Sequence, residues 1–293
     1  MPLFFVRNSE LAERPYLFGV GQALQPLAGV VTTLGMKAGA LAWGETFEAV
    51  RNLMLLGGAM PLVALVIIAR LRENPPDPPP PDGEDEKLNW GLGWKFWSTE
   101  LMIGIGAGLT IPFINLYFHD RFGVEPGNVG LFYAAAEAIM FFGFLSTPVF
   151  ASRWGPVKTI IVFQLSSIPF FLVMAFTTSL PFAVVAFLAR QAMMNMVHPV
   201  SDHFLMEAAS PRQRARINGV KQMCRRASWI VATPLSGFII DHGRFGVDGF
   251  TTVMLATIFL YLVATAMYWA YFHDHAAGRP APEPAIKAPA EES

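Results

Sequence analysis

Four polar residues, Gln191, Asn195, His198 and Asp202, recur at spacings of four, three and four in the otherwise mostly apolar stretch 181–206. At 100° per residue they fall in one narrow sector of a helix, so a single face would carry two amides, an imidazole and a carboxylate. In apolar surroundings such a stripe either lines a water-filled cavity that a solute can enter or hydrogen-bonds to neighbouring helices. His203 and Glu207 point roughly opposite to His198 and Asp202, so one helix cannot converge all four on a metal, and neither a metal nor a cofactor is expected. Arg190 points away from the stripe. Its expected ion-pair partner is Glu137, the acid of another apolar stretch, which shares a face with Tyr133, Phe141 and Phe144. The functional reading of Glu137 is a proton-coupling or cation-recognising acid; the structural one is a buried ion pair or hydrogen bond.

Two further sets complete the candidates. Glu100, Gly104, Gly108, Ile111 and Asn115 share a helical face. The glycines are read as packing positions that let another helix approach, Asn115 as a substrate contact, and Glu100 as an interface anchor beside Trp94, Lys95 and Trp97. Lys221, Arg225 and Arg226 load a later stretch with charge. Folding the chain back around Pro211 puts Asp202 near Lys221 and His198 near Arg225, as a charge network that holds the hairpin or as a site for an anionic substrate. No nucleophile elbow, phosphate loop or paired-carboxylate arrangement is present in a soluble segment, so no enzyme activity is expected.

The elements that must position these residues are membrane helices. Hydrophobic residues make up 53% of the chain and charged residues 15%, well below the roughly 25% charge of soluble domains. The net charge of -1 argues against a nucleic-acid partner, and the single Cys224 excludes an intrachain disulfide. A span needs about 20 mostly apolar residues to cross a hydrocarbon core roughly 30 Å thick. The runs 15–36, 52–69, 101–118, 129–151, 217–240 and 250–272 meet that need. The run 159–189 is too long for one span and breaks at the polar tip 177–181 (TTSLP), leaving a second helix from 181 to about 206. That makes eight spans. Lysine and arginine concentrate on one side, at Arg7, Arg14, Arg70, Arg72, Lys87, Lys95, Arg153, Lys158, the cluster from Arg212 to Arg226, Arg279 and Lys287. The other side holds Lys37, Arg51, Arg121 and Arg244. Both termini are therefore expected in the cytoplasm, in agreement with an even number of spans.

The segment 73–87 (ENPPDPPPPDGEDEK) reads as an extended linker and the tail 274–293 as disordered. Residues 107–122 (AGLTIPFINLYFHDRF), followed by Gly123, Gly130 and Leu131, resemble the seventh and eighth helices of a major facilitator superfamily transporter. The loop 151–158 (ASRWGPVK) is similar to the basic hairpin between neighbouring helices of that family, with Ser152 where an acid is usual. Residues 211–215 (PRQRA), Gly219 and 234–237 (PLSG) resemble the tenth-to-eleventh connection and the eleventh helix, and 13–18 (ERPYLF) looks like the start of the fifth. The resemblance implies an all-α membrane protein with eight transmembrane helices. Residues 1–72 would supply the fifth and sixth family helices, 73–94 the linker, and 95–273 a complete C-terminal six-helix half built of inverted repeats. The family has twelve helices, so the first four would be missing.

Alternating access is the implied mechanism, moving a small molecule in a secondary, proton-coupled process across the cell membrane. Asn115, Glu137, Arg190, Asn195, His198 and Asp202 are the substrate and coupling candidates. The competing expectation is a non-transporting scaffold or accessory subunit that docks on a partner membrane protein. The expected partners are the lipid bilayer, an unidentified small molecule, and either a second copy or another membrane protein covering the stripe. A reporter active only outside the cytoplasm should be silent when fused at Met1 or Ser293 and active in the loop expected at 39–44. Silence at that loop would remove the first hairpin.

Overall fold

The computed structural model describes residues 13–43, 89–210, 212–242 and 248–276, with scattered positions between 48 and 70. Among the described residues the chain is all helical, with no strand. The first helix, α1 (Arg14–Trp43), runs through Pro26 and occupies positions 39–43 of the loop expected at 39–44; residue 44 lies outside the described residues. The second expected span, 52–69, and the proline-rich linker lie largely outside the described residues. Helix α2 (Trp90–Thr110) starts at Trp90 rather than at the boundary placed at Lys95. The cause is local: the Asn89 side chain caps the helix by accepting from the Leu92 amide at 3.0 Å. The Asn89 amide in turn donates to Gln213 Oε1 at 3.0 Å, which ties this end of α2 to the distant turn at 210–213.

Pro112 interrupts the span. A 3-10 turn, Ile111–Phe113, separates α2 from α3 (Ile114–Phe122), and the whole stretch Trp90–Phe122 is long and apolar enough to cross a membrane. Proline has no N–H to offer the Gly108 carbonyl four residues earlier, and hydrocarbon would supply no substitute. Thr233 Oγ1 donates to that carbonyl at 3.3 Å, and Ser236 Oγ donates to the next one, on Leu109. Gly123 ends α3 in the left-handed conformation, φ 66°. Helices α4 (Pro126–Trp154) and α5 (Pro156–Phe176) are joined through Gly155 alone, at φ 78° and ψ 157°. Only glycine reaches that backbone region cheaply, and the following proline then starts the next helix. The break expected at 177–181 is present: α6 (Leu180–Ala208) begins just after Thr177, whose hydroxyl accepts from the Ser179 amide at 3.2 Å. Helices α7 (Arg214–His242) and α8 (Gly249–Ala276) complete the described chain.

Six of these helical stretches have the length and hydropathy of membrane spans. Helix α7 is as long, but Arg214, Arg216, Lys221, Arg225 and Arg226 load its first part with charge. The packing is fixed by what each face carries. Helix α2 lies between α7 and α8, α5 packs on α6 and α8, and α1 packs on α4 and α6. One apolar cluster gathers Phe96, Phe144, Phe163, Phe204 and Phe272, and a second gathers Tyr117, Phe118, Phe171, Phe187 and Tyr261. Glycines set the separation of α2 from its neighbours. A Cβ on Gly104 would lie 2.1 Å from Ser228 Oγ, one on Gly108 would lie 2.9 Å from Ala232 Cβ and 3.2 Å from Trp229 Cα, and one on Gly106 would lie 2.7 Å from the Tyr261 ring. The glycine face read from the sequence is thus the contact with α7. Because the Gly108 contact includes backbone, Gly108→Val should cost about 1–3 kcal/mol through overpacking. The check is the melting temperature of the purified chain in detergent; an unchanged value would mean that α2 and α7 do not approach this closely.

Candidate functional site

A cavity of about 560 Å³ opens between the helices. Gln22, Gln25 and Pro26 of α1 line it, with Glu100, Ile103, Gly104 and Ala107 of α2 and Ile111 at the 3-10 turn. Glu137, Met140 and Phe144 come from α4, and Arg190, Gln191, Met194, Asn195 and His198 from α6. Arg225, Arg226 and Trp229 of α7 and Tyr261 of α8 complete the wall. Ionisable groups inside an apolar bundle are costly unless they are paired or wet. The charges divide on that criterion into two sets.

The first set is closed. Lys221, whose side chain is only 1% exposed, donates to Asp202 Oδ1 at 2.9 Å and to Ser201 Oγ at 2.9 Å, and its ammonium lies 3.9 Å from Glu100 Oε2. Glu100 also accepts from Arg225 Nε. Arg225 Nη2 reaches His198 Nδ1 at 3.3 Å. An arginine can only donate, so Nδ1 must accept and the imidazole proton sits on Nε2. Two carboxylates and two cations from α2, α6 and α7 thus neutralise one another. The pairings expected from folding the chain at Pro211, Asp202 with Lys221 and His198 with Arg225, are both present. Glu100 is a correction: it is buried in this network and is no interface anchor. The signal lay in its own face, since Glu100 sits one turn before Gly104, the glycine that meets α7.

The second set is open. Arg190 is 1% exposed, yet no acid among the described residues lies within ion-pair distance. Its Nη1 donates to Gln191 Oε1 at 2.6 Å and its Nη2 to the Tyr261 hydroxyl at 3.2 Å, while the guanidinium lies 4.5 Å from the centre of the Phe171 ring. The expected pair between Arg190 and Glu137 is absent. Arg190 turns to α8 and α5, whereas Glu137 lies against α1, where a Cβ on Gly29 would come within 3.3 Å of its Cγ and Cδ. Glu137 makes no hydrogen bond or ion pair to a described residue. Nor does Arg190 stand apart from the polar stripe, since it is bonded to Gln191.

The stripe itself splits. Gln191, Asn195 and His198 face the cavity, with Asn195 Nδ2 donating to the Gln191 carbonyl at 2.7 Å. Asp202 turns to Lys221 instead and is 4% exposed. Asn115 is exposed and does not line the cavity. The Pro112 turn breaks the helical phase that was to carry it there; Ile111, at the start of that turn, does line the wall. Among the wall residues that the sequence reading missed are Gln22, Gln25 and Tyr261. The glutamines left a legible sign, two amides three residues apart in an apolar run, and Gln25 Nε2 donates to Gln22 Oε1 at 3.4 Å. No cluster of three metal-ligating side chains occurs among the described residues.

The arrangement is a mixed-charge cavity within an apolar helical bundle, and several solved structures have a similar fold. Its fold is similar to that of a bacterial homologue of the iron transporter ferroportin in an outward-facing state, at 13% identity and a TM-score of 0.59, covering 88% of this chain and 65% of that one. It is similar to the transporter FucP in the outward conformation, at 15% identity and a TM-score of 0.58, covering 89% of this chain and 72% of that one. It is also similar to a bacterial homologue of the human lysosomal transporter Spinster in an inward-facing, occupied conformation, at 16% identity and a TM-score of 0.53, covering 96% and 74%. This chain therefore spans less than two thirds of the ferroportin homologue's length. No curated protein sequence matches it. The family model of the Major Facilitator Superfamily matches residues 4–232 and 96–292, and the chain belongs to that superfamily.

Proposed function

We propose that the chain is a secondary transporter that carries a small molecule by alternating access, with the cavity between α1, α2, α4, α6, α7 and α8 as the binding site and Glu137 as the proton-coupling group. It would sit in the cell membrane with eight spans and both termini in the cytoplasm, the helical positions between 48 and 69 belonging to the second span. One observation carries the reading: a cavity of about 560 Å³ whose wall presents a carboxylate, guanidinium groups and an imidazole within an apolar helical bundle. Bilayer lipid would be a poor filling for that cavity, because each unmet polar group in hydrocarbon costs several kcal/mol. Water and a polar solute would be good ones. Arg190, Asn195 and His198 are the proposed substrate contacts. Asp202 contributes by holding Lys221, and Asn115 serves the other face of the span. A second copy or another membrane protein would cover what these helices leave open.

Glu137 suits the coupling role because it faces the cavity with no partner among the described residues to hold its charge fixed. A carboxyl in that position can gain and lose a proton as water access alternates. In proteoliposomes, Glu137→Gln should abolish accumulation driven by a pH gradient while leaving energy-independent counterflow of the same solute intact. Retention of pH-driven accumulation by a folded Glu137→Gln protein would remove Glu137 from the coupling step.

A further inference from the structure

Arg190 sits about a third of the way along α6 with almost no exposed surface. A guanidinium has five N–H groups and accepts nothing. The Gln191 amide oxygen and the Tyr261 hydroxyl take two of them, and Nε has no partner. Both oxygens are neutral, and the Phe171 ring offers only the weak negative charge of its face. Lys221 and Arg225, by contrast, each have a carboxylate. Once those two pairs cancel, the wall retains Arg190, Arg226 and Glu137, a surplus of positive charge. Around them Ile103, Met140, Met194 and Trp229 give the cavity apolar sides.

We propose that Arg190 anchors a small organic anion, a carboxylate carrying an apolar body; this rests on the transport reading above for the solute's route, and adds its chemical class. A guanidinium fork matches a planar carboxylate with two parallel hydrogen bonds, and the pair is strongest where water is excluded. Gln191 Oε1, 2.6 Å from Nη1, holds the position that one carboxylate oxygen would take. Its side chain swings aside when the anion arrives, and the apolar body rests on Met194 and Trp229. The Tyr261 hydroxyl stays on Nη2 and keeps the fork oriented.

The test uses the purified full chain in lipid nanodiscs and three probes of one size: benzoate, benzamide and benzylammonium. Benzoate should raise the melting temperature, and the neutral and cationic probes should not. Arg190→Gln should weaken benzoate binding about 10–100-fold, the scale of a lost charged hydrogen bond. Since Arg190→Gln can fail by misfolding, Gln191→Glu is the second variant. It places a carboxylate of the protein's own on Arg190, so it should fold at least as stably as the unaltered chain and lose the benzoate shift. Stabilisation by benzylammonium or benzamide equal to that by benzoate would overturn the proposal, as would an undiminished benzoate shift in Gln191→Glu. Counterflow in proteoliposomes separates the two readings. Benzoate that binds but does not exchange would sink transport and leave the anion site standing; exchange of benzylammonium alone would do the reverse.

Discussion

The closed ion network of Glu100, Arg225, Lys221 and Asp202 is the constraint on which the rest of the bundle depends. Each charge alone would be strongly unfavourable in an apolar interior, where removing one member of a buried pair costs about 3–5 kcal/mol. Together they bind α2, α6 and α7 at one end of the cavity. The network can close only because α2 and α7 come unusually near one another. A Cβ on Gly104 would lie 3.4 Å from Arg225 Cα, so the glycine that permits contact sits beside the arginine that needs a short reach to Glu100. The same closeness lets Thr233 and Ser236 serve the carbonyls around the Pro112 break. Packing, backbone satisfaction and charge pairing are thus one arrangement along the α2–α7 seam.

That closed set gives the remaining charges their meaning. Arg190 and Glu137 line the same cavity and are of opposite sign, yet they are held on different helices by different neighbours: Arg190 by Gln191, Tyr261 and Phe171, and Glu137 against Gly29. If they paired, the site would be another structural clamp. Their separation leaves each of them without an ion-pair partner among the described residues. His198 stands between the two sets. Its Nδ1 belongs to the network through Arg225 while the ring lines the cavity.

Much of the fold was legible in the sequence because membrane spans are read from length and polarity alone. The TTSLP break, the glycine face of α2 and the Asp202–Lys221 and His198–Arg225 pairings all follow from local pattern and helical phase. Two of the misreadings share a cause, in that phase along one helix says nothing certain about its neighbours. Glu100 looked interfacial because tryptophans and a lysine surround it in sequence, whereas its partners come from α7. Arg190 and Glu137 were the obvious pair by charge, but the α1 contact and the α8 tyrosine lie far away in sequence and took them apart. Asn115 lies outside the cavity wall for a separate, local reason, since extrapolating a helical face across Pro112 assumes an unbroken 3.6-residue repeat. Tyr261 could not be distinguished in the sequence from other aromatic residues of a bilayer span.

The central claim is that the paired charges hold the helices while the unpaired ones face the solute, and a double-mutant cycle on Lys221 and Asp202 tests it most directly. Stability of the purified chain in detergent would be measured for Lys221→Met, Asp202→Leu and the two combined. Lys221→Met leaves Asp202 without its cation and should destabilise by about 3–5 kcal/mol; Asp202→Leu leaves Lys221 only its longer contact with Glu100 and should destabilise in the same direction, while the combined change should recover most of the loss. Harmless single changes, or a combined loss equal to the sum of the two, would contradict a closed structural pair and with it the division of the cavity's charges.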